Sequence, residues 1–380
     1  MRDEAPTVRR VAGPGRGPHG MPAAIALSPI LSARYRARDL ERIRAAAPGS
    51  RIVMVSSEGL SDGPLDDVEV LLRGLISAET FDRLLARAPR LAWVHSATAG
   101  VERVLTPAGR ERGLVITNAR GVFSDPIAEY VLMMILAVSR RLPQLLELQR
   151  ERTWQPLEAT ELRDVTLGIV GLGSIGRAIA KRARVFGCRI VATRRHPPTP
   201  GSADDGSEAG PAAGSAAAGA IDEGSVAEGA QAGVQVGAGA IDAVWGPEML
   251  PTLLAESDFV VLALPLTTET EHLIDAAALA AMKPGAWLIN VARGRLVDDH
   301  ALIRALGEGS LGGAVLDAFR EEPLPATSPY YDLPNVIVTP HTAWSSGRVL
   351  DRSVELLCDN LGRYARGEPL ENVVDPAAGY

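Results

Sequence analysis

Three glycines, in Gly171-Leu-Gly173-Ser-Ile-Gly176, follow the apolar run 165–170 and open a segment whose apolar residues recur at helical spacing. That context suits a pyrophosphate. Gly171 permits a tight turn, Gly173 lets the backbone approach the anion and Gly176 lets the helix pack closely, while the N–H groups at the helix start point at the charge. An acidic residue about 20 positions further on would hydrogen-bond the ribose hydroxyls of NAD. This chain instead reads Thr193-Arg194-Arg195-His196. Two guanidinium groups suit a 2'-phosphate, so NADP is favoured and NAD is the alternative.

Three later stretches carry the other candidate chemistry: Asn290-Val-Ala-Arg293-Gly-Arg-Leu-Val-Asp298, Leu316-Asp-Ala-Phe-Arg-Glu-Glu322-Pro-Leu-Pro325 and Val338-Thr-Pro-His341-Thr-Ala. Each follows a short apolar run. Such runs occur at 165–170, 189–193, 259–264, 286–291, 313–316 and 336–339, as expected of strands whose two faces are both covered in a parallel sheet. Between the first two, Ile175, Ile179, Ala183 and Phe186 mark one stripe of a helix. Strand, helix and strand in about 30 residues is a crossover unit, and its repetition predicts a doubly wound sheet. A second set of strands is expected at 52–56, 68–72, 91–95 and 114–118, after a core-like run at 23–31. A long helix over 127–148 is expected to join the halves, and a helix near 349–364 to return to the first of them.

On these motifs, with the ending Gly367-Glu-Pro-Leu-Glu-Asn-Val-Val-Asp375, the sequence resembles the D-isomer-specific 2-hydroxyacid dehydrogenases, nearest in look to the glyoxylate and hydroxypyruvate reductases. The resemblance spans about residues 22–195 and 244–380. It implies an α/β protein of two doubly wound parallel-sheet domains, a Rossmann cofactor domain inserted in a flavodoxin-like substrate domain, with an active-site cleft between them. The expected bounds are a flexible extension at 1–20, a substrate domain at 21–124 and 344–380, and a dinucleotide-binding domain at 125–343. By the same resemblance Arg293 grips the substrate carboxylate and carbonyl, Glu322 is the acidic partner of a histidine and His341 is the proton donor. Asp317 would contact the nicotinamide amide. Ala99 and Gly100 align with the loop whose backbone N–H groups hold the carboxylate, and Ser174, Ile175, Leu264 and Val291 fall where the family lines its cofactor. A homodimer is also implied, as is a small 2-oxo or 2-hydroxy acid as substrate.

Elementary chemistry agrees with those roles. Hydride reaching a ketone carbon builds negative charge on its oxygen, so the site must supply a proton and a cation. Imidazole titrates near neutrality, and a neighbouring carboxylate favours its charged form. Arginine stays charged and offers a planar fork to a 2-oxo acid. Phosphoglycerate dehydrogenase fits less well, since no regulatory domain follows the final helix, and formate dehydrogenase uses an amide where Glu322 stands. A cofactor-sensing corepressor is the alternative from another class, and turnover separates it from an enzyme.

Composition bounds the remainder. The formal net charge of −7 lies in residues 197–243, which hold seven acidic side chains and no basic one; the other 39 acidic residues match the 39 basic ones. With 14 Ala and 10 Gly in 47 positions, that stretch reads as a disordered insertion. There is no basic stripe with interleaved aromatics, which argues against a nucleic-acid partner. No apolar run is long enough for a membrane span, no signal sequence is apparent and no metal is implied. Cys188 and Cys358 read as reduced thiols of a cytoplasmic protein.

Overall fold

The computed structural model describes residues 20–30, 35–197 and 241–376. The expected N-terminal extension, apart from Gly20, and residues 198–240 of the expected insertion at 197–243 lie outside the described residues. The end of that insertion needs correction, because it is ordered: Asp242 accepts the Ile190 N–H at 2.7 Å and Ala243 opens a β-strand. The chain divides into two compact units, which among the described residues comprise 20–122 with 347–376, and 123–197 with 241–346.

In the first unit β1 (Ala24–Leu27), α1 (Ala37–Ala46), β2 (Arg51–Met54), β3 (Val68–Arg73), α2 (Ala78–Arg87), β4 (Trp93–Ser96), α3 (Pro107–Glu111) and β5 (Val115–Thr117) form a five-stranded parallel sheet, ordered β2-β1-β3-β4-β5. Alternate residues of a strand face opposite sides, so β1 sends Ala24 and Ala26 to one core and Ile25 and Leu27 to the other. The first core takes Phe81, Leu84 and Leu85 from α2; the second takes Ile43 from α1 and Val354, Leu357, Leu361 and Tyr364 from the C-terminal helix Val349–Arg366. Both faces are thus covered by helices, which is why these strands are nearly uninterrupted apolar runs.

One polar cluster interrupts that core. His95 is fully buried, its Nδ1 lies 2.8 Å from Thr117 Oγ1, and the same hydroxyl accepts from Trp93 Nε1 at 2.9 Å. Burial lowers the imidazole pKa from 6.5 to about 4. The sign follows directly. Between pH 6.5 and about 4 the unfolded chain binds a proton that the folded chain refuses, so stability falls as pH is lowered through that window. The full loss below it is about 3 kcal/mol. Urea unfolding of the wild type and His95→Gln at stepped pH should show this slope in the wild type and its loss in the variant.

The second unit begins with α4 (Ser124–Ser139) and α5 (Leu142–Arg150), and continues with β6 (Thr166–Val170), α6 (Ser174–Val185), β7 (Arg189–Thr193), β8 (Ala243–Trp245), α7 (Leu250–Glu256), β9 (Phe259–Leu262), α8 (Ala276–Ala281), β10 (Trp287–Asn290), α9 (Asp299–Gly307), β11 (Gly313–Leu316) and β12 (Val336–Val338). Its sheet is parallel and ordered β12-β11-β10-β9-β6-β7-β8. The chain therefore winds outward from β6 to one edge and returns at β9 to build the other, which makes the β6/β9 boundary the switch point where open α/β sheets take ligands.

Two further expectations need correction. The single helix over 127–148 is two helices, broken at Arg140 and Arg141, the latter left-handed at φ 57°. Pro143 explains the break, because it lacks an N–H and its ring would collide with the carbonyl of Ser139 four residues earlier. Phe186 is not part of the α6 stripe: the helix ends at Val185, Phe186 is 46% exposed, and Ile179, Ala180 and Ala183 form the buried face.

Candidate active site

The glycine turn leaves β6 between two neighbours that fix its shape. Gly171 and Leu172 both donate to the Thr193 carbonyl at 3.1 Å, and Ala263 N donates to the Val170 carbonyl at 2.8 Å. Gly171 has φ 102°, and a Cβ there would lie 2.7 Å from the Ala263 carbonyl oxygen; one on Gly176 would lie 2.4 Å from the Gly171 carbonyl oxygen. A Cβ on Gly173, by contrast, would meet nothing within 4 Å. Gly173 is also the N-cap of α6 and brings no side chain to the first-turn N–H groups. Open space above an uncapped helix start is a cradle with the polarity and room a pyrophosphate requires. Ser174 and Ile175 begin that helix half-buried, Leu264 is half-buried beside the turn and Val291 is buried after β10. Arg194 and Arg195 follow β7, with Arg194 N donating to the Trp245 carbonyl at 2.9 Å and Arg195 paired with Glu269. The donor set fits a phosphorylated dinucleotide.

The loops after β10, β11 and β12 carry the reactive side chains, all at the carboxyl ends of neighbouring strands. His341 Nδ1 sits 3.0 and 2.9 Å from the two oxygens of Glu322, and Glu322 Oε1 also accepts the Phe319 N–H at 2.9 Å. Partial burial works against ionisation of Glu322. The His341 hydrogen bond, the Phe319 N–H and the charges of His341 and Arg293 outweigh it and hold the carboxyl below its usual range. With Nδ1 committed to the carboxylate, Nε2 is the nitrogen left to exchange a proton with a ligand.

Arg293 is tied to the same structure through its neighbour. A Cβ on Gly294 would lie 2.0 Å from the Phe319 carbonyl carbon, so the turn after Arg293 rests on the peptide that leads to Glu322. Asn290 Nδ2 donates to the Arg293 carbonyl at 2.9 Å and Arg293 Nη1 donates to the Ala292 carbonyl at 2.8 Å.

Asp317, expected to contact a nicotinamide amide, is hydrogen-bonded to the loop that carries His341. It is 1% exposed; Oδ1 accepts from Thr339 Oγ1 at 2.6 Å and Thr342 N at 2.8 Å, and Oδ2 accepts from Ala343 N at 2.9 Å. Those donors bracket His341, itself at φ 49°. Tyr130 of α4 extends the network, its hydroxyl 2.5 Å from Thr339 Oγ1. Asp317 is thus a positioning residue for the histidine loop. Thr339, Thr342 and Tyr130 were not singled out from the sequence; Thr339 lies within the histidine motif, but nothing in the sequence marks Tyr130.

In the first unit Ala99 and Gly100 occupy the loop after β4. Their carbonyls are turned toward Asn118 Nδ2 at 2.9 Å and Thr98 Oγ1 at 2.7 Å.

Comparison with known proteins agrees with this reading. The family profile "D-isomer specific 2-hydroxyacid dehydrogenase, NAD binding domain" matches residues 132–211 and 235–343. A glyoxylate reductase from Thermococcus litoralis is 33% identical over 310 residues, covering 79% of this chain and 82% of the relative. A glyoxylate/hydroxypyruvate reductase B from Pectobacterium carotovorum is 35% identical over 300 residues, covering 77% and 81%. Among solved structures, a D-isomer-specific 2-hydroxyacid dehydrogenase from Xanthobacter autotrophicus in complex with NADPH and MES superposes with a TM-score of 0.74 at 29% identity, covering 94% of this chain and 99% of that one. An NADPH-dependent glyoxylate/hydroxypyruvate reductase from Sinorhizobium meliloti, in complex with NADP and sulfate, gives 0.71 at 25% identity, covering 94% and 100%. With the glycine cradle and the His341–Glu322 pair on parallel strand ends, these matches place the chain in the family of D-isomer-specific 2-hydroxyacid dehydrogenases, enzymes that use a nicotinamide cofactor.

Proposed function

We propose that this enzyme reduces a small 2-oxo acid of the glyoxylate and hydroxypyruvate type to the D-2-hydroxy acid, with NADPH preferred over NADH. The observation that carries the reading is the His341–Glu322 pair, held against the turn that presents Arg293. The bound nicotinamide would supply the hydride. Arg293 takes the carboxylate and carbonyl of the acid in its planar fork, which fixes the carbonyl for attack and favours the charge that grows on its oxygen. His341 gives that oxygen its proton from Nε2, a contribution of about 10²- to 10⁴-fold in such reactions. Glu322 fixes the ring through Nδ1, and Asp317 fixes the backbone on which the ring stands. The backbone N–H groups of Ala99 and Gly100 are assigned to the substrate carboxylate. Residues 21–124 and 344–380 are read as the substrate domain and 125–343 as the cofactor domain. The stretch Thr193-Arg194-Arg195-His196, with two guanidinium groups in sequence where an acidic residue would serve the ribose of NAD, supports the NADP preference.

Steady-state rates with glyoxylate, hydroxypyruvate and bulkier 2-oxo acids, each with NADPH and NADH, test this directly. The highest kcat/KM should fall on a two- or three-carbon acid with NADPH. A maximum on a bulky acid, or with NADH, would displace that part of the reading.

A homodimer is supported by the helix pair that opens the second unit. Helix α5 has no buried residue, and Met133, Leu142, Leu145, Leu146 and Trp154 are 40% exposed or more. Apolar surface of that density calls for a covering partner. Light scattering should give the mass of two chains, and Leu145→Asp with Leu146→Asp should shift it toward one. No helix among the described residues is long and apolar enough to cross a membrane. The free thiols of Cys188 and Cys358 support a cytoplasmic site of action.

A further inference from the structure

The loop after β9 sets a carboxylate against the cofactor arginines. Within it Thr270 Oγ1 donates to the Pro265 carbonyl at 2.8 Å and accepts the Thr267 N–H at 2.8 Å, while Glu269 N donates to Thr267 Oγ1 at 3.3 Å. This knot fixes the backbone at Glu269, whose Oε2 accepts from Arg195 Nη2. Strand β6 lies between β7 and β9, so the ion pair joins the end of one flanking strand to the loop that follows the other, spanning the width of the strand that ends in the glycine turn. Both partners are accessible, Arg195 at 40% and Glu269 at 69%, so the pair adds little to folding and can exchange partners.

An exchangeable carboxylate on this arginine has a consequence for cofactor choice. We propose that Glu269 tunes the selectivity between NADP and NAD by competing for the Arg195 guanidinium that a 2'-phosphate engages. The proposal rests on the reading that Arg194 and Arg195 receive that phosphate. Binding NADP requires Glu269 to release or share Arg195, and the carboxylate left nearby repels the phosphate. The ribose hydroxyl of NAD carries no charge, neither displacing the carboxylate nor being repelled by it.

Titration of the full-length protein with NADPH and NADH, followed by nucleotide fluorescence without substrate, tests the idea in the wild type, Glu269→Gln, Arg194→Gln, Arg195→Gln and the Glu269→Gln/Arg195→Gln double variant. Glu269→Gln should tighten NADPH binding about 3- to 10-fold while changing NADH affinity less than about twofold. In the Arg195→Gln background the gain should be smaller than in the wild type, since only the repulsion between carboxylate and phosphate is left to relieve. An unchanged NADPH-to-NADH ratio in Glu269→Gln overturns the proposal, and so does a selective loss of NADH affinity, which would make Glu269 the ribose acceptor instead. If Arg194→Gln and Arg195→Gln both leave NADPH affinity unchanged, the reading of the arginines fails first. If they weaken NADPH while Glu269→Gln leaves the ratio unmoved, only the role of Glu269 falls.

Discussion

Replacing His341 by glutamine should lower kcat for 2-oxo acid reduction by about 10²- to 10⁴-fold while leaving NADPH affinity within about twofold. Glutamine keeps a donor near Glu322 but has no proton to give at neutral pH. The contrast between rate and binding carries the argument, because the glycine cradle lies after β6 and the histidine after β12, so removing the acid should spare the cofactor. A variant that lost NADPH binding in parallel would show that the substitution had disturbed the sheet rather than the proton transfer. An unchanged kcat would remove His341 from the chemistry.

Arg293→Gln should fail in another way. A bidentate charge-assisted pair with a carboxylate contributes about 3–4 kcal/mol, so kcat/KM should fall about 10²- to 10³-fold, with KM rising as well as kcat falling. Arg293→Lys should recover only part of that loss, since an ammonium keeps the charge without the fork. Full recovery by lysine would mean that only the charge matters and would remove the two-point grip. Glu322 adds an internal check, because the Arg293 charge is one of the influences holding its carboxyl below the ordinary range.

Much of this was legible in the sequence because parallel strands covered on both faces are written as apolar runs, and because the glycines, the arginine, the glutamate and the histidine each stand just after such a run. The runs at 189–193 and 313–316 match β7 and β11 to the residue. What was not legible depends on contacts between distant segments. Strand β8 is three residues long and borders a low-complexity stretch, so no alternation could reveal it. The helix break needed Pro143 to be weighed against an unbroken apolar pattern. The clamp that Asp317 places on the histidine loop, with Tyr130 behind Thr339, joins three elements far apart in the chain. The reach of Glu269 to Arg195 follows from β6 lying between β7 and β9, an order that periodicity does not disclose.

The most direct measurement is to incubate the wild-type protein with NADPH and hydroxypyruvate and to resolve the product on a chiral column. The account predicts stoichiometric loss of NADPH and accumulation of D-glycerate alone. Appearance of the L enantiomer, or no NADPH consumption at saturating hydroxypyruvate and glyoxylate, would contradict it.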